Sequence, residues 1–81
     1  MKKIKFDIVS RGSLLVKYGK KETIILGELT FDPPIFYANI NSIINWERPR
    51  ITKISEIEKQ IIIEYIKSES EKSGYTKIYF D

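Results

Sequence analysis

IKFDIVSRGSLLVKYGKKETIIL, residues 4–26, decides the fold. Ile4, Phe6 and Ile8 alternate with Lys3, Lys5 and Asp7, the period of a strand with one face in a core and the other in water. Arg11-Gly12 interrupts that period, because glycine supplies the backbone freedom that a tight reversal needs. Leu14, Val16 and Tyr18 resume it as a second strand, and Gly19-Lys20-Lys21 makes the next turn. Thr23-Ile24-Ile25-Leu26 is dense in β-branched residues and forms a third strand, with Gly27 expected as a bulge. Three strands joined by short turns make an antiparallel meander.

Working outward, Asp32-Pro33-Pro34 cannot occupy a central strand, since proline has no amide proton and restricts the residue before it. The chain turns there or follows an edge. Ile35, Phe36, Tyr37 and Ile40 resume pairing, while Asn39, Asn41, Ser42 and Asn45 suit turns or a short irregular helix before Trp46. Ser55 followed by Glu58 matches a capping box, so a helix starts there. Ile57, Ile61, Ile62, Tyr65 and Ile66 recur at helical spacing opposite Glu58, Lys59, Glu64 and Lys67, which predicts one apolar stripe laid across the sheet. Gly74 is expected to end the helix, and Tyr75 to Phe80 alternate as a short last strand. The fold class is α+β: an antiparallel meander of about four strands, one amphipathic helix packed on it and a short C-terminal strand.

The 81 residues suit one small domain over 1–81 with a shallow core and no deep enclosed substrate cavity. There is no cysteine and no histidine, which removes disulfides, thiol nucleophiles, the commonest general base and the commonest metal ligand. Gly12, Gly19, Gly27 and Gly74 are isolated, so no phosphate-cradling loop is present. Glu56, Glu58, Glu64, Glu69 and Glu71 are interleaved with Lys59, Lys67 and Lys72, the pattern of a solvated helix face rather than of a carboxylate pair for acid–base work. Ser10, Ser13 and Ser55 have no histidine partner. The expectation is a protein that is not an enzyme, with no cofactor and no metal. No apolar run has membrane-spanning length, and MKKIKFD becomes charged too soon for a signal peptide, so a cytoplasmic location is expected.

The net charge of +3 is unevenly spread. Residues 1–21 carry +6, residues 22–47 carry only acids, Glu22, Glu28, Asp32 and Glu47, and Arg48, Arg50 and Lys53 then restore +3. The acidic stretch overlaps FDPPIFYANINSIINWERPR, residues 31–50, which holds Phe31, Phe36, Tyr37 and the one tryptophan. Aromatic residues and arginine anchor protein interfaces because they bury large areas and keep a polar handle. Asp32, Phe36, Tyr37, Trp46, Glu47, Arg48 and Arg50 are therefore the candidate partner-binding residues. The competing reading of Trp46 is a plug at one end of the core.

Arg11-Gly12-Ser13, Ile25-Leu26-Gly27-Glu28, and Trp46-Glu47-Arg48-Pro49 followed by a Ser55-capped helix and a terminal strand resemble a bacterial immunity-protein family of polymorphic toxin systems, immunity protein 74. The resemblance spans nearly the whole chain through short motifs. It implies a protein that binds and neutralises a cognate protein toxin of a polymorphic toxin or contact-dependent growth inhibition system, with no small-molecule substrate and no membrane. Two other classes stay open. Lys2, Lys3, Lys5, Arg11, Lys17, Lys20 and Lys21 could contact the phosphates of a nucleic acid, with Tyr18 or Phe6 stacking on bases, although the alternation puts Phe6 in the core. The chain could also be a structural subunit, such as a homodimer, joined through an edge strand or the Trp46 loop.

Overall fold

A computed structural model describes residues 3–72 and 76–81. Strands β1 (Ile4–Ser10), β2 (Ser13–Tyr18), β3 (Lys21–Thr30) and β4 (Ile35–Ala38) form the expected antiparallel meander. A single 3-10 turn, Ile40–Ser42, leads to the short ribbon of β5 (Asn45–Trp46) and β6 (Thr52–Lys53). Helix α1 (Glu56–Ser70) then carries the chain back, and β7 (Lys77–Phe80) joins the sheet beside β4, in the order β1-β2-β3-β4-β7. The last pairing is parallel, with Phe36 opposite Ile78 and Ala38 opposite Phe80. A parallel neighbour needs a long crossover, and the ribbon and helix supply it.

One face of the sheet is covered by the helix. Leu14, Val16, Ile25, Phe36, Ala38 and Ile78 are buried there with Ile62 and Ile66 of α1, and Ile43, Trp46 and Ile54 close one end of the same core. Phe6 meets Tyr65 edge to face at 6.3 Å, so strand β1 is also tied to the helix.

Sequence-based expectations at Gly27, Ile40, Ile57, Ile61 and Glu58 need correction: Ile40 lies in the 3-10 turn rather than in β4, and Ile61 is exposed outside the core. Gly27 is no bulge: β3 runs through it in register, with Gly27 opposite Ala38. A Cβ on Gly27 would collide with the Tyr37 carbonyl oxygen and lie 2.6 Å from Cε1 of Phe36, so the position is held open for its neighbours on β4. Ile57 is not in the core stripe but 73% exposed. The buried positions of α1 are Ile62, Ile66 and Ser70, four residues apart, and the same spacing leads back to Glu58 rather than to Ile57. Glu58, expected on the solvated face, thus faces the end of the core. Ile57→Ala is accordingly expected to change unfolding free energy by no more than about 0.5 kcal/mol in urea denaturation, the range of an ordinary surface substitution. A larger loss would return Ile57 to the packed stripe. The helix stop expected at Gly74 and the strand start at Tyr75 lie outside the described residues.

Candidate functional site

The second half of β3 pairs with β4, but its first half is bordered by the segment after β5. Glu22 donates its amide to the Arg48 carbonyl at 3.0 Å and accepts from the Glu47 amide at 2.7 Å. Thr23 Oγ1 donates to the Asn45 carbonyl at 2.7 Å. These bonds lay the loop against β3 and present Glu47 and Arg48 beside the face of the sheet opposite the helix.

Trp46 anchors that loop from below. Its side chain is fully buried, its ring lies 6.0 Å from that of Tyr18, and its indole N–H donates to Glu58 Oε1 at 3.2 Å. Glu58 Oε1 also accepts from the Ser55 amide at 3.1 Å, and Ser55 Oγ accepts from the Glu58 amide at 3.1 Å, completing the capping box. The other carboxylate oxygen pairs with Lys21 Nζ at 2.8 Å, and that ammonium sits 5.8 Å from the Trp46 ring centroid. Burial alone raises the pKa of Glu58, but hydrogen bonds from Lys21, the Ser55 amide and Trp46, with the Lys21 charge, outweigh it and lower the group from 4.5 to about 2. Glu58 therefore joins β3, the Trp46 loop and the start of α1 in one ionised contact.

The structure divides the candidate partner-binding residues. Phe36 and Trp46 have no exposed surface and are core residues, because Phe36 has the inward parity of β4 and Trp46 fills the end of the sheet. Tyr37 points outward, half-exposed and stacked on Tyr79 at 5.9 Å. Glu47, Arg48 and Arg50 are exposed on the ribbon, and Asp32 is exposed at the β3–β4 turn, where its φ of 64° is a left-handed conformation that aspartate tolerates. Asp32 is not near Glu47. The strand from Glu22 to Thr30, roughly 26 Å at the usual rise, separates Glu22 from the turn that holds Asp32.

Glu47 and Arg48 instead line a shallow concavity of about 350 Å³ with Leu15, Glu22, Thr23 and Ile24. It continues, through Thr23, Ile24 and Glu47, into one of about 460 Å³ that adds Leu26, Ser42, Ile44, Asn45 and Ile51. Leu26, Ile44 and Ile51 are 56%, 56% and 79% exposed. Sequence reasoning missed these apolar residues as surface. The signal was the unbroken runs Leu14-Leu15-Val16 and Thr23-Ile24-Ile25-Leu26, which put apolar side chains on both faces of the sheet.

The groups expected to serve a nucleic acid are otherwise occupied in part. Lys21 is paired with Glu58, Arg11 lies 5.2 Å from the Phe31 ring centroid, Phe6 contacts Tyr65, and Tyr18 packs on Trp46. Lys2 lies outside the described residues. No helix among the described residues is long and apolar enough to cross a membrane.

The family model for Imm74, Immunity protein 74, matches residues 5–81. The chain belongs to the immunity protein 74 family. No curated protein and no solved structure matches it. In this immunity protein 74 chain the matched region takes in the whole meander from Lys5, the Glu58 contact and the exposed sheet face, so the family pattern covers both scaffold and candidate surface.

Proposed function

We propose that the chain is a non-catalytic immunity protein that binds and neutralises a cognate toxin domain of a polymorphic toxin or contact-dependent growth inhibition system, in the cytoplasm of the bacterium that makes both. The observation that carries this reading is membership of the immunity protein 74 family over residues 5–81. The fold is compatible with it: one sheet face is closed by α1, while the other carries exposed side chains with no covering element among the described residues. A rigid sheet can present such a surface with little loss of freedom on binding. Glu47, Arg48 and Arg50 on the ribbon, with Tyr37 and Asp32 farther along the sheet, remain the proposed contacts among the residues first selected. Phe36 and Trp46 act beneath that surface by holding β4 and the ribbon in place.

The test is co-expression with the toxin domain encoded beside the chain's own gene. Cells are expected to survive toxin induction only with the chain present, and the chain with an inactivated toxin domain is expected to elute as one stoichiometric complex in light-scattering chromatography. Growth arrest despite abundant folded chain, together with separate elution of the two proteins, would overturn the reading.

A further inference from the structure

Side chains on β3 that point away from the helix run Glu22, Ile24, Leu26, Glu28, and Glu47 lies beside them on the ribbon. The middle of this row is apolar, and Ile44 and Ile51 extend it across the ribbon into a continuous exposed patch. Scattered surface leucines and isoleucines are ordinary, whereas a contiguous apolar patch with a polar rim marks an interaction surface. The rim has a sign. Glu22, Glu28 and Glu47 have no ion-pair or hydrogen-bond partner for their carboxylates among the described residues; the cations bordering the patch are Arg48, Lys17 across the strand pair from Glu22 with Lys5 beyond it, and Arg11, which is bonded through its carbonyl to Leu29 and turned over the Phe31 ring. A chain of net charge +3 thus concentrates unpaired carboxylates around its exposed apolar patch.

We infer that this outer face of β3 is the toxin-docking surface, and that the toxin element seated on it pairs apolar side chains with lysine or arginine: apolar against Ile24, Leu26 and Ile44, basic against Glu22, Glu28 and Glu47. The inference rests on the proposed function for its occupant and adds the face and the chemistry of the partner. Charge decides among occupants. A second copy docked through the same face would bring each row of carboxylates against its own image. Nucleic acid would set phosphates against them. A basic, apolar protein surface satisfies both parts of the patch, and complementary charge steers such a partner on approach.

The experiment measures binding of the inactivated toxin domain by biolayer interferometry to the wild-type chain, to Leu26→Arg, to the triple variant Glu22→Gln, Glu28→Gln, Glu47→Gln, and to Ile57→Arg on the exposed helix surface. Circular dichroism melts accompany each variant, and Leu26 is exposed enough for arginine to be accommodated without unfolding. Leu26→Arg is expected to weaken binding at least about 30-fold, as the loss of an interface anchor does. The triple variant is expected to slow association about tenfold at low salt, with the difference vanishing at high salt. Ile57→Arg is expected to bind as wild type. If the wild-type chain binds and both face variants bind within about threefold of it, this surface is wrong while the immunity function stands. Faster association of the triple variant would mean an acidic partner and would also overturn the inference. So would a wild-type dimer that Leu26→Arg converts to monomer, since a second copy would then hold the face. A wild-type chain that does not bind the toxin domain removes the functional reading itself.

Discussion

Trp46→Ala is expected to cost about 3–5 kcal/mol of unfolding free energy, the range for truncating a large buried aromatic. The residue is one of the largest fully buried side chains, with Tyr18 against its ring and Lys21 over it, and the loop it belongs to has no other side chain of comparable volume in the core. Removal would leave a cavity at the end of the sheet and leave Glu58 without its indole donor. A chain of this size has a total stability of only about 4–12 kcal/mol, so the variant is expected to unfold at a much lower urea concentration. Trp46→Phe keeps most of the apolar volume and deletes the N–H, and is expected to lose less, about 1–2 kcal/mol. As the chain has one tryptophan, its fluorescence reports the same site: blue-shifted emission while folded, red-shifted on unfolding. The alanine variant lacks that probe and is followed by circular dichroism. A loss under about 1 kcal/mol for Trp46→Ala would mean that the side chain does not fill the core, and would restore it as a partner anchor.

How much of this could be seen beforehand depends on whether the deciding interaction is local. β1, β2 and the start of β3 were legible because period-two alternation and glycine turns act within a few residues. The Ser55–Glu58 capping box was legible for the same reason. The parallel union of β4 with β7 was not, since nothing in Ile35–Ala38 marks a partner some forty residues away. Gly27 is explained only by Phe36 and Tyr37 across the sheet, so its meaning could not be read from its own neighbours in sequence. At the candidate surface, Glu47 and Arg48 follow from the overlap of the acidic stretch with residues 31–50 and from the interface role of arginine, and both residues are exposed. Leu26, Ile44 and Ile51 were overlooked because apolar identity implies a core, and only strand parity and the placement of the ribbon bring them to the surface. Phe36 and Trp46 illustrate the reverse: aromatic content suggested an interface, while parity on β4 and the open end of the core claimed both residues. Glu58 is the most instructive case. A charged residue was assigned to the polar side of α1, yet the spacing of Glu58, Ile62, Ile66 and Ser70 already aligned it with the buried stripe.

That alignment gives Glu58 a pH signature. Glu58→Gln is expected to lower stability by about 3 kcal/mol at pH 7, and to have almost no effect near pH 2. The carboxylate, 17% exposed, has its pKa lowered from 4.5 to about 2 in the folded chain, despite a burial cost that acts in the opposite direction. A lowered acid pKa means that the folded state binds the proton more weakly than the unfolded state does. The resulting stability is complete above about pH 4.5 and is lost as pH falls toward 2, at about 1.4 kcal/mol for each pKa unit. Glutamine can still accept from the Trp46 indole and the Ser55 amide, so the substitution deletes chiefly the charge facing Lys21. Every other group is common to both proteins, so the difference between the two urea-unfolding series taken from pH 7 to pH 2 isolates Glu58. Lys21→Met is expected to shrink that difference, because it removes the main group that holds the Glu58 proton off. A wild-type-minus-variant difference that stays constant from pH 7 to pH 2 would show that Glu58 is an ordinary cap residue, and that the ionised contact between β3, the Trp46 loop and α1 does not hold the exposed ribbon in place.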